Sequence, residues 1–291
     1  MAGGRIGVIG AGQMGAGIAH VAAVAGYEVC LLDTSPGILD RAMAAIIYNL
    51  ERQISRGTIE AEHRTDVLAR IHPETGEQAL AGCVAVIEAV TEDEAVKRSV
   101  YARICPLLQP ETVLATNTST ISITRLAAAT DRPARFVGLH FMNPVPVLPL
   151  VEIIRGIATS EETTSWAKVF VTSLGKRFVA AEDFPAFIVS RILMMMINEA
   201  VYALYEGVGT VEAVDTAMQL GAHHPMGPLE LADFIGLDTC LHVMHTLHEG
   251  LADTKYRPCP LLVKYVDAGW LGRKTGRGFY DYTGIQPIPT R

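Results

Sequence analysis

The chain has 291 residues, 49% of them apolar and 19% charged, with 24 basic against 31 acidic side chains and a net charge of −7. That length suits about two domains, and the apolar share supplies a core and excludes a disordered chain. The acidic balance argues against a nucleic-acid partner, and no apolar run reaches the ~20 residues of an uninterrupted bilayer span. Five scattered cysteines without a CxxC spacing speak against a disulfide framework or a zinc site and for a reducing compartment. A strand-like run from Arg5 leaves no room for a signal peptide, so the expected location is cytoplasmic.

Arg5–Gly10 reads as a short apolar strand, followed by a glycine-rich turn. Ile18, Val21, Ala22 and Ala25 recur at i, i+3, i+4, i+7, one face of a helix that Gly26 would stop. Glu28–Asp33 is a second apolar strand. Strand, helix and strand in about 30 residues make a βαβ unit, which implies a parallel sheet. Ser35-Pro36 marks the start of a long helix ending near Gly57. Further strands are expected at 83–89, 112–116, 135–141 and 149–154, with helical patterns at about 93–108 and 121–129. After Asp183-Phe184-Pro185 the strand signal fades, leaving helices at about 186–206, 211–220, 228–250 and 259–268. The expected fold class is α/β: a Rossmann-type domain over 1–183, then an all-helical domain over 184–291.

Gly10-Ala11-Gly12-Gln13-Met14-Gly15 is a GxGxxG placed between a strand and an amphipathic helix, the context in which it binds a dinucleotide. Gly10 permits the tight turn, Gly12 the approach of a pyrophosphate, and Gly15 close helix–strand packing. Asp33 ends the second strand; a carboxylate there accepts from ribose hydroxyls and repels a 2′-phosphate, favouring NAD over NADP. Three further stretches place polar residues in apolar strand ends: Thr116–Ser119, Leu139–Pro146 and Leu150–Glu152. His140 and Glu152 flank a proline-rich turn and could pair, the carboxylate fixing one imidazole nitrogen while the other exchanges a proton. On spacing alone, a core histidine satisfied by its neighbours is the simpler reading. His223-His224 has no ligand-spaced carboxylate or cysteine, so no metal is expected.

Gly-Leu-His-Phe-Met-Asn-Pro-Val-Pro (138–146) closely resembles the strongest motif of the L-3-hydroxyacyl-CoA dehydrogenases, including their short-chain bacterial 3-hydroxybutyryl-CoA members. The likeness extends to Ala-Thr-Asn-Thr-Ser (115–119), His-Pro-Met-Gly-Pro-Leu-Glu-Leu (224–231), Asp-Phe-Ile-Gly-Leu-Asp (233–238) and Gly-Arg-Lys-Thr-Gly-Arg-Gly-Phe-Tyr (272–280), essentially the whole chain. The resemblance implies reversible NAD-linked oxidation of (S)-3-hydroxyacyl-CoA, with an acyl-CoA substrate and a homodimer. It assigns His140 as general acid–base, Glu152 as its orienting partner, and Ser119 to substrate and nicotinamide. Asn143 falls beside the nicotinamide ribose and carboxamide. Glu92, Lys97 and Lys274 become cofactor contacts, although as bare sequence they read as solvated charges. Arg52 and Arg56, one turn apart, stand where related enzymes carry lysines for the CoA phosphates.

The chain departs from the pattern in Pro185–Arg191, where Ser190 replaces the family's usual asparagine of the catalytic set. A shorter hydroxyl implies weakened activity or an altered substrate geometry, since one lost donor costs roughly 2–4 kcal/mol of transition-state stabilisation. Met195 stands where the family often has proline, which implies a straighter helix. Two rival readings are a dehydrogenase of non-CoA 3-hydroxy acids resembling lambda-crystallin, and a catalytically impaired NAD-binding paralogue.

Overall fold

The computed structural model describes residues 4–291. Two compact units divide after Phe184. In the first, the elements run β1 (Arg5–Ile9), α1 (Gln13–Val24), β2 (Glu28–Leu32), α2 (Pro36–Ser55), α3 (His63–Ala69), β3 (Ile71–Glu74) and β4 (Ala85–Glu88). They continue as α4 (Glu94–Ile104), β5 (Val113–Thr116), α5 (Ile123–Ala127), β6 (Phe136–Phe141), β7 (Leu150–Arg155), α6 (Glu161–Ser173) and β8 (Arg177–Glu182). The eight strands form one sheet in the order β3-β2-β1-β4-β5-β6-β7-β8. This is a Rossmann-like architecture, and the strand order reverses between β1 and β4, where such sheets open a crevice for ligands.

The sheet is not wholly parallel, which corrects the expectation drawn from the βαβ unit. β7 runs antiparallel to β6, and β8 is parallel to β7. The cause is the connection: residues 142–149 are too few for the crossover a parallel neighbour needs. The reversal sets His140 opposite Glu152 in the strand register.

Strands β1, β2 and β4 are buried almost throughout, as a sheet covered on both faces requires. Val8, Ile18, Val29, Leu31, Ile87 and Val137 pack in one core between the sheet and α1, α2 and α6. Each such side chain contributes roughly 1.5–3 kcal/mol on burial. α2 buries only Leu39, Ala42, Ile46 and Leu50, a single stripe, so its opposite face carries its charges into solvent. Ser35 occupies the N-cap position of α2 without a side-chain cap; its backbone N–H donates to Asp33 Oδ1 instead.

The second unit contains α7 (Val189–Tyr205), α8 (Val211–Thr216), α9 (Pro228–Ile235), α10 (Leu237–Leu251) and α11 (Pro260–Asp267). It is helical but not all-helical: β9 (Tyr280–Asp281) and β10 (Ile288–Pro289) form a two-stranded antiparallel ribbon. The ribbon escapes a pattern search because each strand has two residues. The helix expected over 228–250 is two helices, divided where the chain turns at Gly236. α7 runs unbroken through Met194–Met196. Buried Asp233 holds the ribbon, accepting from the backbone N–H of Phe279 and of Tyr280, both at 2.9 Å, and from the Tyr282 hydroxyl at 3.0 Å. Among the described residues, no helix is long and apolar enough to cross a membrane.

Candidate active site

The glycine turn lies between the end of β1 and the start of α1. Gly10 has φ +92°, a conformation that a side chain strains. A Cβ at Gly15 would stand 1.7 Å from the Gly10 carbonyl oxygen, whereas a Cβ at Gly12 would meet nothing within 4 Å. Gly15 is therefore required by the fold, and Gly12 faces open space at a helix N-terminus, where amide donors and the helix dipole favour an anion. Asp33 follows β2 directly; its Oδ2 accepts from the Ala11 N–H at 2.8 Å and so braces the turn. A cavity of about 340 Å³ opens beside this turn, lined by Gly12, Gln13 and Ala16 and by Ile38, Arg41 and Ala45 of α2. The glycine turn at a helix N-terminus, the open space beside it and the carboxylate at the end of β2 together fit a dinucleotide.

The ends of β4 and β5 carry a buried polar network. Glu88, the last residue of β4, is fully buried. Its Oε1 accepts from Val90 N–H and Lys97 Nζ, each at 2.7 Å; its Oε2 accepts from the Tyr101 hydroxyl at 2.7 Å and the Thr116 hydroxyl at 2.8 Å. Lys97, on α4, is itself 0% exposed and lies 3.7 Å from Glu92 Oε2. Glu92 Oε1 in turn accepts from Thr118 Oγ1 (2.6 Å), Ser119 N–H (2.9 Å), Thr120 N–H (3.1 Å) and Thr120 Oγ1 (3.0 Å). Burial alone would raise the Glu92 carboxyl; the Lys97 ammonium and the donors of Thr118, Ser119 and Thr120 outweigh it and hold the carboxyl below its ordinary range.

His140 and Glu152 form the second polar group. They are cross-strand partners on β6 and β7, and His140 Nδ1 lies 2.7 Å from Glu152 Oε2. Glu152 is fully buried and His140 nearly so. A carboxylate at this distance fixes the tautomer with the proton on Nδ1 and leaves Nε2 to exchange a proton. Asn117 ties this strand to β5, its side-chain oxygen accepting from Phe141 N–H at 3.0 Å.

The structure thus brings His140 beside Glu152, Ser119 beside Glu92, and Asp33 beside Ala11. Met14 and Gln13 open α1, and Asn143 is exposed in the turn after β6. Arg52 is exposed on α2, its guanidinium 5.7 Å from the Tyr48 ring centroid, and Arg56 caps that helix's C-terminus. Lys274 lies in the second unit, paired with Asp238 Oδ2 at 2.7 Å, and Ser190 is half-buried in the first turn of α7. Lys97 differs from the solvated charge its sequence position suggests: it is buried because Glu88, across the sheet end, supplies its counter-charge. Glu88 and Tyr101 are not among the residues that the sequence singles out, whereas Asn117 lies in the polar stretch Thr116–Ser119. The available signal was a carboxylate closing the apolar run Ala85-Val86-Ile87.

Comparison with known proteins shows the family. Residues 5–184 match the model of the 3-hydroxyacyl-CoA dehydrogenase NAD-binding domain, and residues 187–282 match that of the 3-hydroxyacyl-CoA dehydrogenase C-terminal domain. A 3-hydroxybutyryl-CoA dehydrogenase of Bradyrhizobium diazoefficiens is 64% identical over 99% of this chain and 98% of its own. A probable 3-hydroxybutyryl-CoA dehydrogenase of Bacillus subtilis is 52% identical over 96% of this chain and 97% of its own. The crystal structure of (S)-3-hydroxybutyryl-CoA dehydrogenase from Ralstonia eutropha superposes with a TM-score of 0.93 at 44% identity, covering 96% of this chain and 99% of that one. With both family domains matched in order and relatives this similar along nearly its whole length, the chain belongs to the 3-hydroxyacyl-CoA dehydrogenase family.

Proposed function

We propose that this enzyme interconverts (S)-3-hydroxyacyl-CoA and 3-oxoacyl-CoA with NAD, acting on a short acyl chain of the 3-hydroxybutyryl type, and that His140 is its general acid–base. The observation that carries the assignment is the buried Glu152 carboxylate 2.7 Å from His140 Nδ1. In the oxidative direction His140 Nε2 takes the proton of the 3-hydroxyl as the hydride leaves C3 and the C3–O double bond forms. Bound NAD supplies the acceptor for that hydride. Glu152 stabilises the imidazolium as it forms and keeps the ring from turning. In the reductive direction the same imidazolium returns its proton to the carbonyl oxygen.

Ser119, held by Glu92, orients the substrate oxygen and the nicotinamide end, and Asn143 serves the nicotinamide ribose and carboxamide. Asp33 reads the ribose hydroxyls beside the Gly10–Gly15 turn. Lys97 acts through Glu92, and the family likeness adds Lys274 to the cofactor contacts. Arg52 and Arg56 take the CoA phosphates from the exposed face of α2, and Ser190 stands in a position of the catalytic set with a shorter reach than asparagine. We infer a homodimer through the helical unit, for which the family likeness and the exposed apolar side chains Ile192 (68%) and Leu220 (82%) are the support. The five buried free cysteines support a reducing, cytoplasmic setting. His140→Ala tests the assignment: kcat falls about 10²–10⁴-fold, the range of general acid–base catalysis, while NADH still binds. Retention of most activity refutes it.

A further inference from the structure

We propose that Glu88 is a positioning residue for the reaction: it anchors the buried Lys97 ammonium so that Glu92 clamps the Thr118–Thr120 turn carrying Ser119. This rests on the reading that Ser119 and Glu92 face substrate and cofactor. The starting point is an arrangement the fold alone does not need. Glu88 and Lys97 are both 0% exposed. A well-packed apolar pair of similar volume would join β4 to α4 at least as stably, because a buried ion pair seldom recovers the desolvation of its two charges. What the ion pair adds is direction. Lys97 Nζ is held 2.7 Å from Glu88 Oε1 and points its remaining charge at Glu92 Oε2, 3.7 Å away.

Glu92 is consequently gripped from both sides. Its Oε2 faces the ammonium, and its Oε1 gathers the hydroxyl and amide donors of Thr118, Ser119 and Thr120. Glu88 is fixed just as fully, by Val90, Tyr101 and Thr116. The Glu88 carbonyl oxygen also accepts from Asn117 N–H at 2.7 Å, so one residue sets both the backbone and the side-chain route to the Ser119 turn. Side chains that must hold a reacting group within a fraction of an ångström need supports of this kind. Deprived of Glu88, Lys97 loses its closest counter-charge, and the half-buried Glu92 loses a fixed partner. The titratable groups facing Glu92 along this route are Lys97 and, behind it, Glu88 and Tyr101.

Glu88→Gln and the pair Glu88→Gln with Lys97→Met test this in the full chain. Glutamine keeps the shape: its oxygen accepts from Val90 and Lys97, and its amide donates to the Tyr101 and Thr116 hydroxyl oxygens. Glu88→Gln lowers kcat/KM for NADH oxidation about ten- to a hundredfold, the worth of one charge-assisted hydrogen bond. The double variant removes both charges, recovers the melting temperature, and keeps the low kcat/KM. Its acid limb in the pH profile moves to higher pH, because Glu92 has lost its cation. A purely structural pair predicts the opposite. Wild-type kcat/KM and an unmoved acid limb in the double variant, or an undiminished kcat/KM in Glu88→Gln, overturn the proposal. If Glu88→Gln fails to fold, the double variant decides alone. An inactive wild-type protein would instead refute the function proposed above.

Discussion

Replacing Glu152 by glutamine separates the charge of the His140 partner from its shape. The carboxylate is fully buried, 2.7 Å from the imidazole, and on a rigid strand. Once the imidazole has taken the substrate proton, two unit charges face each other about 4 Å apart, worth roughly 4 kcal/mol at an effective dielectric near 20. Glutamine keeps one neutral hydrogen bond, which returns about 1 kcal/mol. The net loss in the transition state is then about 3 kcal/mol, roughly 150-fold in kcat. The assay is single-turnover NAD reduction with (S)-3-hydroxybutyryl-CoA, alongside the melting temperature and NADH affinity. Both of the latter should change little, because the amide fills the same space. A kcat within threefold of wild type would show that Glu152 merely fills the strand, and the acid–base assignment of His140 would lose its main support.

Other outcomes follow from single features. Neutralising Arg52 and Arg56 together raises KM for acetoacetyl-CoA about five- to thirtyfold, at roughly 0.5–1 kcal/mol for each exposed charge; KM for an acyl-pantetheine lacking the nucleotide phosphates stays unchanged, and an equal rise for both substrates contradicts the assignment. Burial raises the Asp233 carboxyl from its ordinary 3.8 to about 6, against the donors of Tyr280, Phe279 and Tyr282. The folded state therefore holds this proton longer than the unfolded chain, and the associated stability is full below about pH 4 and lost as pH rises through 6, about 3 kcal/mol in all. The melting-temperature gap between wild type and Asp233→Asn should accordingly narrow from pH 4.5 to pH 7.5; a widening gap reverses the sign and refutes this. Ser190→Asn restores the longer side chain and raises kcat/KM at least tenfold on roughly 2 kcal/mol, measured with acetoacetyl-CoA; no change removes Ser190 from the catalytic set.

Residues whose role is local were legible in the sequence. The glycine turn sits between two apolar elements and needs no distant partner to be read. His140 and Glu152 stood out as polar side chains in apolar strand ends. Their pairing was legible from the proline-rich turn between them; the antiparallel sense of β7 was not, because an alternating or buried strand looks the same in either direction, and only the short link at 142–149 carried the reversal. Strands β3 and β8 escaped notice for a related reason. They are the sheet's two edges; β3 contains Pro73, and β8 is exposed at every position but Ala181. β3 lacks the apolar run that marks a central strand, and the run Phe178–Ala181 of β8 is short and bounded by charges. Lys97 and Glu88 were the hardest to place. Each looks ordinary in its own element, a helix charge and a strand-end charge, and their burial follows only from the ion pair that joins α4 to β4.

The most direct measurement is NADH oxidation by the purified protein with acetoacetyl-CoA, run beside NADPH under the same conditions. The account predicts rapid turnover with NADH and at least a hundredfold lower kcat/KM with NADPH, because the Asp33 carboxylate meets a 2′-phosphate with like charge. NADH binding without turnover would contradict the catalytic reading of His140, Glu152 and Ser119. Equal use of the two cofactors would contradict the placement of Asp33.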